Sequence, residues 1–333
     1  MTASNRQVLL ASRPQGQVSE DNFRIVETPL APPGDGEVLV RNEWLSLDPY
    51  MRGRMNDAKS YVPPVQLGEV MVGQTVGVVV ESRDPAFRPG NKVLTSLGWQ
   101  LYGTAAGSAL TRIDPSQAPA SYYLGLLGMP GMTAWFGLFD LGQPKSGDTV
   151  VVSAASGAVG SVVGQLAKSR GCRAVGIAGG QAKCRYVVDE LGFDACVDYK
   201  AGRLEQDLRD SCPNGVDVNF ENVGGALLDT VLRSMNLHSR VVICGLIAEY
   251  NATEPYGYKM LRAVLVKRIR MQGMIVFDWK DRYDEALQGL KALYTAGKLK
   301  YRESIVEGID NAPRGLIGLL KGENFGKQLV RLG

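Results

Sequence analysis

The stretch Ala154-Ala155-Ser156-Gly157-Ala158-Val159-Gly160 has the residue types and spacing of a turn that receives phosphate. In this A-x-G-x-x-G arrangement Gly157 lets the main chain approach a pyrophosphate with no Cβ in the way, and Gly160 lets a following helix pack close to its strand. Ala158 and Val159, between the glycines, belong to the same cradle. A helix starting here also offers unpaired amides and the positive end of its dipole, worth about 0.3–1 kcal/mol to an anion. Ala155 stands where such turns usually begin with glycine, and glycine-rich turns also occur for packing alone, so the surrounding elements must decide.

Those elements are of two kinds. Up to about residue 120 the chain shows short β-rich runs at 37–42, 73–81 and 92–97, separated by Pro and Gly turns such as Ala31-Pro32-Pro33-Gly34 and Arg88-Pro89-Gly90, which reads as an antiparallel, partly closed β domain. From Thr149 onward, apolar runs of strand length alternate with helical periodicity, the pattern of βαβ units and a parallel sheet. The spacing predicts strands over 149–154, 173–178, 195–199, 216–221, 240–244 and 270–277, with helices over 158–170, 183–191, 204–211 and 226–235 between them. Six strands with crossover helices make a doubly wound domain, and the phosphate turn closes its first strand, so a dinucleotide is the favoured ligand. A helix over 313–320 and a strand over 327–331 are assigned back to the β-rich part. The expected domains are therefore 1–122 with 297–333, and 123–296.

The second strand selects the dinucleotide. An NAD site usually places Asp or Glu at its end to hold the adenosine 2′-hydroxyl. Here the residues are Ala178-Gly179-Gly180-Gln181-Ala182-Lys183, with no acid. Lys183 can meet a 2′-phosphate instead; a hydrogen bond to a charged group contributes roughly 1.5–3 kcal/mol, one to two decades in favour of NADP. The bland alternative is a solvated lysine in the first turn of a surface helix.

Composition closes off other chemistries. The 333 residues, 45% hydrophobic and 21% charged, carry 37 Lys and Arg against 34 Asp and Glu, a net charge of +3 that points to neither a nucleic acid nor an anionic membrane as partner. No apolar run is long enough to span a bilayer and no leader pattern opens the chain, so a cytoplasmic location is expected. The five cysteines, Cys172, Cys184, Cys196, Cys212 and Cys244, show no two-residue spacing, and the first 171 residues hold neither Cys nor His. With His238 the sole histidine, neither a three-ligand catalytic zinc nor a histidine-assisted nucleophile can be assembled, and no metal is expected.

Six ordered motifs resemble those of the zinc-independent medium-chain dehydrogenase/reductase superfamily, specifically its NADPH-dependent double-bond reductases. They are Leu45-Ser46-Leu47-Asp48-Pro49-Tyr50-Met51-Arg52, Gly128-Met129-Pro130-Gly131-Met132-Thr133-Ala134, the 154–160 loop, Glu221-Asn222-Val223-Gly224-Gly225, the run 244–251, and Lys321-Gly322-Glu323-Asn324-Phe325-Gly326-Lys327. Among prostaglandin, plant alkenal and bacterial curcumin reductases, the bacterial group is nearest, through Asn251-Ala252-Thr253-Glu254 and Lys267-Arg268-Ile269-Arg270. The resemblance implies a GroES-like β-rich catalytic domain beside a Rossmann domain, NADP(H) as cofactor and a homodimer. It implies that Lys183 and Tyr199 hold the 2′-phosphate and residues 157–160 the pyrophosphate. Asn222, Cys244, Gly245 and Tyr250 would serve the nicotinamide half, Met274, Ile275 and Val276 its carboxamide, and Asn324 would reach in from the first domain. Residues 253–262 are poorer in Pro and Gly than the family's usual loop, which leaves substrate size open.

The chemistry follows from what is lacking. Hydride added to an isolated ketone leaves an alkoxide that zinc dehydrogenases steady with their metal. Hydride added to the β-carbon of an α,β-unsaturated carbonyl leaves a delocalised enolate that hydrogen bonds can steady. Tyr250 is the first choice for that hydrogen bond and Tyr50 the second, with Tyr250 or a nearby water as proton donor; the bland reading of either is a half-buried packing residue. Tyr294-Thr295-Ala296-Gly297-Lys298 has Y-x-x-x-K spacing but reads as a helix end, and the 267–270 basic run leads into a strand without interleaved aromatics. The expected activity is reduction of enals and enones. The alternatives are a quinone reductase of the same superfamily and a non-catalytic NADPH-binding protein.

Overall fold

The computed structural model describes residues 4–333, which divide into two compact units: the chain up to Gly125 together with Glu303–Gly333, and Leu126–Arg302. In chain order the first unit holds β1 (Ser4–Leu10), β2 (Phe23–Pro29), β3 (Glu37–Ser46), α1 (Tyr50–Arg54), β4 (Thr75–Ser82), β5 (Lys92–Thr95), β6 (Tyr102–Ala106) and β7 (Thr111–Arg112). The second holds α2 (Met129–Phe136), β8 (Thr149–Ser153), α3 (Gly160–Ser169), β9 (Arg173–Ala178), α4 (Gln181–Arg185), β10 (Ala195–Asp198), α5 (Leu204–Ser211), β11 (Val216–Glu221), α6 (Gly225–Ser234), β12 (Met235–Ile243), α7 (Leu261–Lys267), β13 (Arg270–Gly273) and α8 (Tyr283–Thr295). The chain then returns to the first unit with β14 (Glu303–Glu307), α9 (Ala312–Leu320) and β15 (Lys327–Arg331).

The divisions fall at 125/126 and 302/303 rather than the expected 122/123 and 296/297. A 3-10 turn, Ala120–Leu124, packs against β3 and β4, and the Tyr123 hydroxyl donates to Asp114 O, which keeps these residues in the first unit. Downstream, Gln165 of α3 grips Lys300 in both directions, Nε2 to its carbonyl at 2.9 Å and Oε1 from its amide at 2.8 Å, which holds 297–302 in the second.

The first unit is a sheet ordered β14-β15-β3-β4-β5-β7, with β6 also on β3 and β1-β2 as a separate hairpin. Its pairs are antiparallel except β14 with β15, which run parallel because α9 connects them. Val8, Leu10, Leu45, Leu47, Met51, Trp99, Leu316 and Val330 form one core where β1, β3, α1, α9 and β15 meet.

The second unit is a six-stranded sheet ordered β10-β9-β8-β11-β12-β13 with every pair parallel, the doubly wound order expected. β8, Thr-Val-Val-Val-Ser, is buried along its whole length, as a central strand covered on both faces must be. Three expectations are corrected here. The helix predicted over 183–191 is α4 followed by a π-turn, Tyr186–Glu190. β12 begins at Met235 rather than 240, since the chain re-extends directly after α6 and passes His238 at φ 57°, with a register shift against β11 between Val216 and Val218. β13 ends at Gly273 rather than 277, because a 3-10 helix takes over from Val276.

Candidate cofactor site

Chain reversal between β8 and β11 opens a crevice at the carboxyl ends of the parallel strands, the usual place for a ligand in such a sheet. Glu221, fully buried at the end of β11, organises that edge. Its Oε1 accepts from Ser153 Oγ of β8 at 2.7 Å and from the amides of Val223 and Gly224 at 2.7 and 2.9 Å, while Oε2 accepts from Asn219 Nδ2 at 3.0 Å. Its backbone carbonyl accepts from the amides of Cys244 and Gly245 at 2.9 and 3.1 Å. Asn222 is thereby set across to β8: its amide donates to Ser153 Oγ and its Nδ2 to Ser153 O, both at 2.7 Å. Sequence reasoning treated Glu221 as part of a motif and missed that this one residue, by its carboxylate and its carbonyl, ties three strand ends together.

Residues 154–160 form the tight turn between β8 and α3. Ala154 turns at φ 50°, and the Gly157 amide closes the turn on Ala154 O at 2.9 Å. A Cβ on Gly160 would lie 2.5 Å from Ala154 O, so this position excludes any side chain; one on Gly157 would lie 3.1 Å from the same oxygen. α3 begins at Gly160, and the first amides of a helix have no partner inside it. Ala155, the departure from three glycines, is buried with its methyl against β9, where a Cβ on Gly176 would come within 2.8 Å of it. The space that a glycine at 155 would leave is left by Gly176 on the neighbouring strand.

The cations gather at the ends of β9 and β10. Gly179 is the meeting point: a Cβ there would touch the Tyr199 ring and hydroxyl at 2.9 Å and Lys200 Cε at 3.0 Å. Lys183, on α4, is half-buried, and its ammonium is held below the usual lysine range by burial first and by the charge of Lys200 second. Asp198, the acid nearest this turn, is committed elsewhere, its Oδ1 accepting from the amides of Gly180 at 2.8 Å and Lys200 at 3.0 Å. Two ammonium groups that repel each other beside the partly exposed Tyr199 are chemically able to meet a dianion. Lys200 was missed; the signal lay in its place directly after Tyr199, since whatever sits beside that tyrosine in sequence also borders the β9 turn.

Beyond β12 the chain turns back at residues 247–250, which brings the Tyr250 hydroxyl over Gly245: it accepts from the Leu246 amide at 3.3 Å, and a Cβ on Gly245 would lie 3.2 Å from it. Burial, and secondarily the Glu221 carboxylate, push the Cys244 thiol up to about 12, so it stays protonated. Met274, Ile275 and Val276 follow β13, with the Met274 amide on Ile243 O at 3.0 Å. Met274 and Val276 are buried and Ile275 is half-exposed, so of the three side chains Ile275 has the freest face. The loop after Tyr250 is strapped to α6 by Tyr256 Oη, which donates to Asp229 Oδ2 at 2.9 Å, and to its own start by Tyr258 Oη, which donates to Glu249 Oε1 at 2.5 Å.

Tyr50 and Asn324 belong to the other unit. Tyr50 opens α1, half-buried, its hydroxyl held above the usual tyrosine range by burial and then by Asp48. Asn324 Nδ2 donates to Gly326 O at 2.7 Å. Beneath the Asp48-Pro49-Tyr50 turn, Lys327, 1% exposed, donates to Asp48 Oδ1 and Leu47 O, each at 2.7 Å.

Among the described residues no group of three or more His, Cys, Asp and Glu could hold a metal ion, and no helix is long and apolar enough to cross a membrane. The glycine cradle and the paired lysines fit a phosphorylated dinucleotide.

Comparisons with known proteins identify the family. Residues 6–113 match the model of the N-terminal domain of oxidoreductase, and 158–292 that of zinc-binding dehydrogenase, although no zinc ligand set accompanies the second match here. The NADPH-dependent curcumin reductase of Escherichia coli is 49% identical over 98% of this chain and 97% of its own, and the NADP(+)-dependent 2-alkenal reductase of Nicotiana tabacum 42% identical over 98% and 97%. The crystal structure of CurA in complex with NADPH from Vibrio vulnificus superposes with a TM-score of 0.94 at 48% identity, covering 98% of this chain and 99% of that one. The chain belongs to the zinc-independent medium-chain dehydrogenase/reductase family, in its group of double-bond reductases.

Proposed function

We propose that this chain uses NADPH to reduce the C=C bond of α,β-unsaturated aldehydes and ketones, adding hydride at the β-carbon. The observation that carries the reading is the Lys183–Lys200 pair beside the acid-free end of β9 and a glycine cradle, in a chain 49% identical to an NADPH-dependent curcumin reductase.

When bound, the dihydronicotinamide supplies the hydride. Lys183, Lys200 and the Tyr199 hydroxyl hold the 2′-phosphate. Residues 157–160 hold the pyrophosphate at the start of α3, Gly157 by its open approach and 158–160 by their amides. Asn222, Cys244 and Gly245 border the nicotinamide half, and residues 274–276 its carboxamide. Asn324 contributes to the same ligand. Tyr250 donates a hydrogen bond to the substrate oxygen as negative charge builds there, and it or an adjacent water returns a proton to the α-carbon; Tyr50, kept neutral by burial, is the second donor. Protonated, the Cys244 thiol adds no negative charge of its own to oppose the enolate.

The same reading includes a homodimer and a cytoplasmic location. β13 is an edge strand, and Leu237, Leu261, Leu265, Val266 and Phe277 near it are exposed, which supports pairing along that edge. Sedimentation of the protein tests it: a species of one-chain mass at micromolar concentration overturns the dimer.

Activity is tested by following NADPH and NADH oxidation against a panel of 2-alkenals, 2-alkenones, curcumin-like dienones and quinones. Turnover of the enals and enones with NADPH is expected. Turnover of quinones alone would select a quinone reductase. Tight NADPH binding without oxidation by any acceptor would select a binding protein.

A further inference from the structure

The turn that carries Tyr250 lies on the segment that leaves β11. Besides the amides of Cys244 and Gly245, which donate to Glu221 O, the Ile247 amide donates to Asn222 O at 3.2 Å and the Ala248 amide to Val223 O at 3.0 Å. Glu249, next to Tyr250, accepts from Tyr258 Oη, and that hydroxyl accepts in turn from the Gly225 amide at 3.3 Å. The two segments touch directly: a Cβ on Gly224 would lie 2.8 Å from Leu246 Cδ2 and 3.1 Å from Glu249 Oε1. On this bed the Leu246 amide meets the Tyr250 hydroxyl at 3.3 Å.

The bed is not stiff by its own sequence. Gly224 and Gly225 stand at φ 78° and 58°, a conformation glycine reaches cheaply and leaves as cheaply. What holds it is the Glu221 carboxylate, fully buried, whose Oε1 takes the amides of Val223 and Gly224 and ties them to Ser153 of β8. One side chain therefore fixes the turn on which the next turn rests.

We propose that Glu221 is the positioning residue for Tyr250: its carboxylate sets the 222–225 turn and, through it, places the Tyr250 hydroxyl for its hydrogen bond to the substrate oxygen. This rests on the reading of Tyr250 as the donor. A catalytic group displaced by about 1 Å can lose up to about 10²-fold in rate, so the hold matters to turnover more than to cofactor affinity. The role belongs to shape. Glutamine at 221 keeps an oxygen for Ser153, Val223 and Gly224 and turns its amide nitrogen to Asn219, whose buried Oδ1 has no hydrogen-bond partner among the described residues and accepts once that amide turns over. Aspartate is shorter by one C–C bond, roughly 1.5 Å, and cannot span from β11 to the same donors.

The test compares Glu221→Asp, Glu221→Gln, Tyr250→Phe and the double variant Glu221→Asp/Tyr250→Phe. Readouts are kcat and KM on an enone, the NADPH Kd by fluorescence titration, and hydrogen–deuterium exchange of the amides of 222–225 and 244–250. Glu221→Asp should lower kcat by about 10- to 100-fold, raise the NADPH Kd far less, and speed exchange in both turns. Glu221→Gln should recover most of that loss and slow exchange again. In the Tyr250→Phe background the aspartate should cost little more, because both substitutions remove the same interaction. Costs that add in full overturn the proposal, as does a glutamine variant as poor as the aspartate, or exchange at 244–250 that stays at the parent's rate in Glu221→Asp. If Glu221→Asp does not fold, Ser153→Ala, which strips one donor from the same oxygen, enters the same cycle with a smaller loss expected. Parental turnover in Tyr250→Phe would overturn the donor reading instead, and the exchange rates alone then decide whether Glu221 places the turn.

Discussion

Replacing Lys183 by alanine isolates the selection of NADPH over NADH. A hydrogen bond from an ammonium to a phosphate contributes about 1.5–3 kcal/mol, and the half-exposure of Lys183 places it in the lower part of that range, about 1.5–2 kcal/mol. At roughly 1.4 kcal/mol per decade, Lys183→Ala should raise the NADPH Kd about 10- to 30-fold and leave the NADH Kd within a factor of two. Lys200 is exposed, so Lys200→Ala should cost less than the Lys183 variant. The pH dependence has a definite sign. Burial and Lys200 depress the pKa of Lys183 in the free protein. The attraction is therefore complete below that lowered pKa and is lost as pH rises through it; on the acid side it weakens below about pH 6, where the phosphate takes up its second proton. The NADPH Kd by fluorescence titration should pass through a minimum between those limits, and Lys183→Ala should flatten its alkaline limb. Equal loss of NADPH and NADH binding in Lys183→Ala would show that the lysine supports the fold of α4 rather than reading a phosphate.

Gly160→Ala places a Cβ 2.5 Å from Ala154 O and should lower stability by about 1–3 kcal/mol in chemical denaturation, whereas Gly157→Ala, at 3.1 Å, should fold nearly as the parent does and lose affinity for both nucleotides; equal stability of the two variants would refute the distinction. Tyr250→Phe should lower kcat on enones by as much as about 10²-fold while the NADPH Kd changes little, and unchanged turnover would dismiss that hydroxyl. Lys327→Met leaves the buried Asp48 carboxylate without its cation and should cost about 3–5 kcal/mol, read from a lowered midpoint in urea; a midpoint equal to the parent's would show that the pair adds nothing.

Some elements were legible because local chemistry dictates them. Arg173–Ala178, Leu204–Ser211, Val216–Glu221 and Lys327–Arg331 have the bounds that apolar runs, periodicity and flanking breakers predict. The strands β1, β2 and β14 were not foreseen. β2 is short of buried residues, and β14 is held by parallel pairing to β15 across an intervening helix, a partner no local window reveals.

The site divides in the same way. Sequence alone determined the glycine cradle, the missing acid after the second parallel strand, the lysine in its place and the lack of a zinc ligand set, because each depends on residue type at a short fixed spacing. Only tertiary structure decided that Gly176 makes room for Ala155, that Tyr199 and Lys200 come up against Gly179, and that Glu221 ties three strand ends together. These contacts join residues on different strands of one parallel sheet, and helical crossovers that carry no local signal of register bring them side by side.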